Sequence, residues 1–170
     1  MEHKSQIVVR GVRIAAGCCL SIWIAQLLHL EYAVAAGSIT FLSVITTRWE
    51  SLRLMGARLV GFCLTASLAW VIFHFAQSRW LAFGLFVFLL ALVTDLLGWR
   101  STLAVNVVIG THFLSEYDFG AEFIFNELLL VLVGTTVGFC ANLFQTNALV
   151  QRQIRREIAS ADKKMQEILR

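Results

Sequence analysis

Long apolar runs, separated by short charged or polar clusters, organise the whole chain. The first, residues 12–30, follows a basic start (Lys4, Arg10, Arg13) and closes at His29 and Glu31. Residues 33–46 form a second run of about 14 residues. As a helix it is roughly 21 Å long, short of the ~30 Å hydrocarbon core of a bilayer. A charged connection with Arg48, Glu50, Arg53 and Arg58 leads to a third run, residues 59–75. The fourth, residues 80–99, is the most apolar, is interrupted only by Asp95, and is followed at once by Arg100. Residues 102–114 are again short, carry Asn106, Thr111 and His112, and end in an acidic loop with Glu116, Asp118 and Glu122. A sixth run covers residues 123–144, with Glu127 near its start. Runs of this length predict membrane-crossing helices rather than strands.

The halves of this pattern look alike. Leu27, Leu28, His29, Leu30 and Glu31 close the first run, and Leu96, Leu97, Gly98, Trp99 and Arg100 close the fourth; each is followed by a short segment. Gly61, Phe62 and Cys63 in the third run match Gly138, Phe139 and Cys140 in the sixth, each preceded by a small residue four positions earlier, Ala57 and Gly134. Three spans per half makes such repeats inverted. Transporters of that design place their site near the midplane, where short segments occupy corresponding positions. The predicted fold is therefore an all-α polytopic bundle of six segments, arranged as a 3+3 inverted repeat over residues 1–145. The expected path runs between segments two and five, with Thr40, Asn106 and His112 contacting substrate.

Composition narrows the class. Of 170 residues, 58% are hydrophobic and 15% charged, with mean hydropathy +0.75, too apolar for an ordinary soluble domain. Lysine and arginine mark the cytoplasmic side of short loops. With the amino terminus inside, every basic residue except Arg79 falls there, both termini are cytoplasmic, and the expected location is a plasma membrane. The net charge of +3 then reflects retention in inner loops, so nucleic acid is not an expected partner. Four cysteines lie inside apolar runs, the four histidines have no metal-ligand spacing, and no nucleophile elbow, phosphate loop or HExxH occurs. Neither an enzyme nor a cofactor or metal is expected.

Several polar and small residues call for partners. Asp95, about one turn inside its span, needs an arginine or water; it is read either as a structural pair with Arg58 or Arg100 or as an ion-coupling group. Glu127, about one turn inside the opposite face, would reach outer water or meet Arg79 or His74. Ala57xxxGly61 and Gly134xxxGly138 allow close helix approach, inside a subunit or at a dimer seam. Residues 146–170 place Ile154, Ile158, Ala161, Met165 and Ile168 on one face of a charged helix. That cytoplasmic amphipathic helix would lie on anionic lipid or pair with a second subunit.

Residues 9–32, from Val9, Arg10, Gly11 through Gln26, Leu27, Leu28, His29, Leu30, Glu31 and Tyr32, resemble the amino-terminal helix of the bacterial aromatic acid exporter family, relatives of the fusaric acid resistance proteins. Arg53, Gly56 and Gly61 are similar to that family's third-helix entry, and Gly134, Gly138 and Asn142 to its final span. The resemblance covers most of residues 9–145. It implies efflux of aromatic or other small organic acids. A distant likeness to plant malate channels implies a dimeric anion conduit as an alternative. The chain departs from the family pattern at Ala33, where proline is usual, at Glu127, where a basic residue is usual, and at Leu130, near a usual acidic one. Where that family usually carries a large cytoplasmic carboxy-terminal domain, the short helix is expected to stand in its place. Arg58 and Arg100 would attract the substrate carboxylate at the cytoplasmic mouth. A non-transporting scaffold or accessory subunit is the competing class.

Overall fold

The computed structural model describes residues 2–44, 48–76 and 78–143, with side chains from residue 8 in the first helix and residue 56 in the third. The expected amphipathic helix at 146–170 lies outside the described residues, as do the side chains of Arg48 and Arg53. Six α-helices account for the described chain: α1 (Glu2–Leu27), α2 (Ala33–Val44), α3 (Arg48–Phe75), α4 (Arg79–Leu96), α5 (Leu103–Glu116) and α6 (Ala121–Leu143). A short 3-10 turn, Arg100–Thr102, leads into α5. Val8–Leu27, Gly56–Phe75, Arg79–Leu96 and Ala121–Leu143 are long and apolar enough to cross a membrane, whereas α2 is too short to do so straight.

One expectation is corrected by α3. The stretch around Arg48 to Arg58, read as a connection, is helical, and α3 runs for 28 residues, about 42 Å at 1.5 Å per residue. Its arginines, leucines, methionine and glutamate are good helix formers, and charge alone does not break a helix. Likewise α1 starts at Glu2 rather than near residue 12.

Matched sequences at the ends of α1 and α4 adopt the same backbone. In the first, Leu30 N–H reaches Ala25 O (3.0 Å) and His29 N–H reaches Gln26 O (3.0 Å). In the second, Trp99 N–H reaches Thr94 O (2.7 Å) and Gly98 N–H reaches Asp95 O (3.1 Å). Both are the paired bonds of a Schellman ending, which requires one left-handed residue. His29 (φ 54°) takes that position in one half and Gly98 (φ 69°) in the other.

The third helix of each half packs parallel to the short helix of the other. On α6, Gly134 lies against Ile39 and Ala36 O, Gly138 against Ser43 and Thr40 O, and Asn142 donates to Ser43 O, so positions on α2 and α6 advance together. On α3, Gly61 faces Asn106 and Phe73 stacks near Tyr117, so α3 and α5 advance together as well. This reciprocal exchange is the topology expected of inverted repeats.

An added Cβ at Gly134 would stand 2.7 Å from Ile39 Cβ and 2.8 Å from Ala36 O. Both α6 glycines thus serve close packing against α2 within the subunit. Phe86, Leu90, Ile109, Phe113 and Leu130 are fully buried at the centre. Trp23, Trp70, Phe75, Trp80, Phe88 and Leu96 are exposed, as side chains solvated by lipid would be.

The candidate transport site

Two polar layers interrupt the apolar interior. The first centres on Arg58, whose side chain is among the largest fully buried ones. Nη1 donates to Ser43 Oγ and to Thr135 Oγ1 (3.3 Å). Nε and Nη2 have no partner among the described residues, and no described carboxylate contacts the guanidinium. Burying an uncompensated charge costs several kcal/mol or more. The surroundings offset only part of this: Ser43 is itself tied to Ile39 O (2.5 Å), and Asn142 Nδ2 bonds Ser43 O at 3.0 Å. These hydroxyls reach Arg58 only because glycine at 134 and 138 lets α2 and α6 approach closely.

Asn106 is fully buried on α5, and neither Nδ2 nor Oδ1 has a partner among the described residues. It stands where a Cβ on Gly61 would fall 2.7 Å from Nδ2. Gly61 and Thr65 lie three and seven residues after Arg58, hence on one face of α3. Thr65 Oγ1 is likewise buried without a partner. Thr40, by contrast, is satisfied, donating to Ala36 O (2.9 Å) and sharing with Gly134 O (3.0 Å).

The second layer lies toward the end that carries Glu31, Glu116, Asp118 and Glu122. Glu127 on α6 is 1% exposed. Its Oε2 is 2.9 Å from His112 Nδ1, while Oε1 has no partner among the described residues. Tyr32 stacks on the His112 ring at 4.5 Å and 20°, and its hydroxyl donates to Glu116. That hydrogen bond to Glu116 pushes the Tyr32 phenol up to about 12, so Tyr32 stays a donor at neutral pH. Eight residues separate Glu127 from Thr135, about 12 Å along α6; Leu130 and Val131, both buried, fill the interval.

Sequence candidates divide between these layers and the surface. Arg58, expected at an open mouth, is instead enclosed. Thr40 lies three residues before Ser43 on α2 and Asn106 faces Gly61, three residues after Arg58 on α3, but His112 belongs to the second layer. Glu127 meets His112, not Arg79 or His74: Arg79 lies over the Tyr117 ring (4.9 Å) and His74 stacks against Trp70. Asp95 and Arg100 form a bidentate pair, Nε to Oδ1 at 2.7 Å and Nη2 to Oδ2 at 2.9 Å. That pair is exposed, with side-chain accessibilities of 42% and 80%, and the contact with Asp95 raises the Arg100 pKa further. Ser43, Thr65 and Thr135 carry no signal of this role in the sequence, because an isolated hydroxyl in an apolar helix most often bonds its own backbone.

A sequence profile for aromatic acid exporter family member 1 matches residues 5–145. YqjA of Bacillus subtilis (strain 168), itself described as uncharacterized, is 30% identical over 139 residues, covering 82% of this chain and 43% of that protein. The chain therefore spans less than half the length of that relative. No solved structure matches. With more than half of its residues matched, and with the helices the match requires, this chain belongs to the aromatic acid exporter family.

Proposed function

We propose that this protein exports small aromatic or other organic carboxylates across the bacterial plasma membrane, as a homodimer with both termini in the cytoplasm. The observation that carries the reading is Arg58: a buried guanidinium whose Nε and Nη2 edge has no partner among the described residues. That edge is the one that grips a carboxylate in two parallel bonds. Asn106 on α5, with a donor and an acceptor uncommitted, faces α3 at Gly61, one turn along from Arg58, and would orient the remainder of the anion. Thr40 holds α2 against α6 at the site's wall. Arg100, at the exposed end of α4 with Asp95, would raise the local anion concentration without entering the site.

A scaffold subunit needs none of this. Unpartnered polar atoms on α3, α5 and α6 weaken a purely structural bundle, and their alignment favours a route for a polar solute.

Vesicles containing purified protein and labelled benzoate or phthalate test the proposal. Wild type should exchange label above the protein-free blank, and Arg58→Gln should reduce that rate about a hundredfold, the loss of two charge-assisted bonds. Equal rates for wild type and blank with several carboxylates, in protein shown to be inserted, would leave the scaffold reading. Movement that no ion gradient can drive uphill would make the same site a passive anion channel.

A further inference from the structure

The acidic-end layer contains a group that the carboxylate site does not use. We propose that His112 and Glu127 together hold one exchangeable proton, reached from the end where Tyr32 and Glu116 lie, and that this proton decides whether an anion can pass. This rests on the transport reading above.

The geometry has three parts. First, the pair is buried but not sealed: Glu127 is 1% exposed and the His112 side chain 14%. Second, the carboxylate is only half committed, Oε2 to the imidazole at 2.9 Å and Oε1 to nothing among the described residues. Third, a cap is built over it. Tyr32 lies flat on the imidazole and is anchored by Glu116, while the chain beside it is fastened to α6, Glu31 N–H to Asn126 Oδ1 (2.9 Å) and Asn126 Nδ2 to Glu31 O (3.3 Å). The cap fixes the ring where it faces both solvent and Glu127.

Other charged and titratable groups surround this end. The α1–α2 connection brings His29, Glu31 and Tyr32; α2 itself brings none. Glu116 closes α5, and Tyr117, Asp118 and Glu122 follow. From α3 and α4 come His74 and Arg79. Arg79 is engaged by Tyr117, His74 by Trp70, Asp118 by Gly120 N–H (2.7 Å) and Glu116 by Tyr32. His112 is the described group in contact with the Glu127 carboxylate.

Charge then decides the effect. An imidazolium beside a carboxylate sums to zero; losing the proton to water leaves one negative charge in the interior. Interior charges are poorly screened. A net negative pair about 12 Å from the Arg58 layer along α6 opposes a carboxylate moving between the two. Passage should be favoured when the pair is protonated, so exchange should rise as pH falls on the Glu116 side.

The test is exchange of labelled for unlabelled phthalate in vesicles of wild type and of the double variant His112→Gln/Glu127→Gln, across roughly pH 6 to 8, where histidine changes charge. Titration of phthalate itself is common to both proteins and cancels in their ratio. The wild-type to variant rate ratio should change by about tenfold over that range, because the variant has nothing left in the pair to titrate. A ratio constant with pH would overturn the proposal while leaving the transport reading intact. Wild-type exchange equal to the protein-free blank at every pH would instead remove the transport reading. Should that double variant fail to insert, His112→Asn/Glu127→Gln, equally without a titratable group in the pair, reads the same ratio.

Discussion

Two arginines in this molecule use the same edge differently. Arg100 closes its Nε and Nη2 on Asp95 at 2.7 and 2.9 Å, in the open, where side-chain exposure is 80%. Arg58 is buried, and the same edge has no partner among the described residues. Stability alone would arrange matters the other way: an exposed pair contributes little, while a buried unpaired guanidinium is costly. A charge kept where it destabilises the fold is accounted for when an anion that comes and goes completes it. Neighbouring Ser43 and Thr135 fix the guanidinium from one side only, leaving the bidentate edge directed elsewhere.

Breaking that contrast at Arg58 should have the largest effect. Beyond Arg58→Gln, the charge-preserving Arg58→Lys should still lower exchange about tenfold or more, because a lysine ammonium cannot reproduce the two-bond fork; initial rates of labelled benzoate exchange would show it. If Arg58→Lys matched wild type, the site would need only positive charge. Gly138→Ala comes next. Its Cβ would press on Ser43 and Thr40 O, separating α6 from α2 at a cost of about 1–3 kcal/mol, read as a lower unfolding midpoint in detergent. A fall in exchange beyond the fall in folded protein would tie this close approach to the Arg58 site.

Asn106→Ala should lower exchange about five- to tenfold, the value of one or two hydrogen bonds, with membrane abundance unchanged. Should abundance fall instead, the residue would be holding α5 in place. Arg100→Ala sharpens the comparison from the other side. Losing an exposed charge should cut the rate only a few-fold, and the deficit should disappear at about 1 M salt, where the screening length is ~3 Å. The smallest effect is expected at His29→Gly. Glycine relieves a left-handed histidine but loosens the unfolded chain, so the unfolding midpoint should move by less than the equivalent of about 1 kcal/mol.

Much of the architecture was legible because its cause is local. Apolar run length marks the long spans of α1, α3, α4 and α6, and the shortness of α2 and α5 follows from early polar closure. The Leu-Leu-His-Leu and Leu-Leu-Gly-Trp ends were recognisable as equivalents before their shared hydrogen bonds were known. Boundaries are less legible: the charge at the start of α3 suggests a connection, yet the helix propensity of those residues prevails. The candidate site was legible in its parts only. Thr40, Arg58, Asn106, His112, Asp95 and Arg100 were all singled out, yet grouping them requires knowing which helices touch.

Class, number of helices and family follow from the order of residues, since hydropathy, turn chemistry and small-residue spacing act over a few residues along the chain. Packing across the bundle encloses Arg58 with α2 and α6 and turns Glu127 toward His112 rather than Arg79 or His74, whereas the Asp95–Arg100 pair spans five residues and is foreshadowed by the sequence. The enclosure of Arg58 depends on α2 and α6, far apart in sequence, packing in parallel at Gly134 and Gly138, and the Glu127 contact depends on α6 folding back beside α5. A side chain's electrostatic role follows from what surrounds it in space, not from its neighbours in sequence.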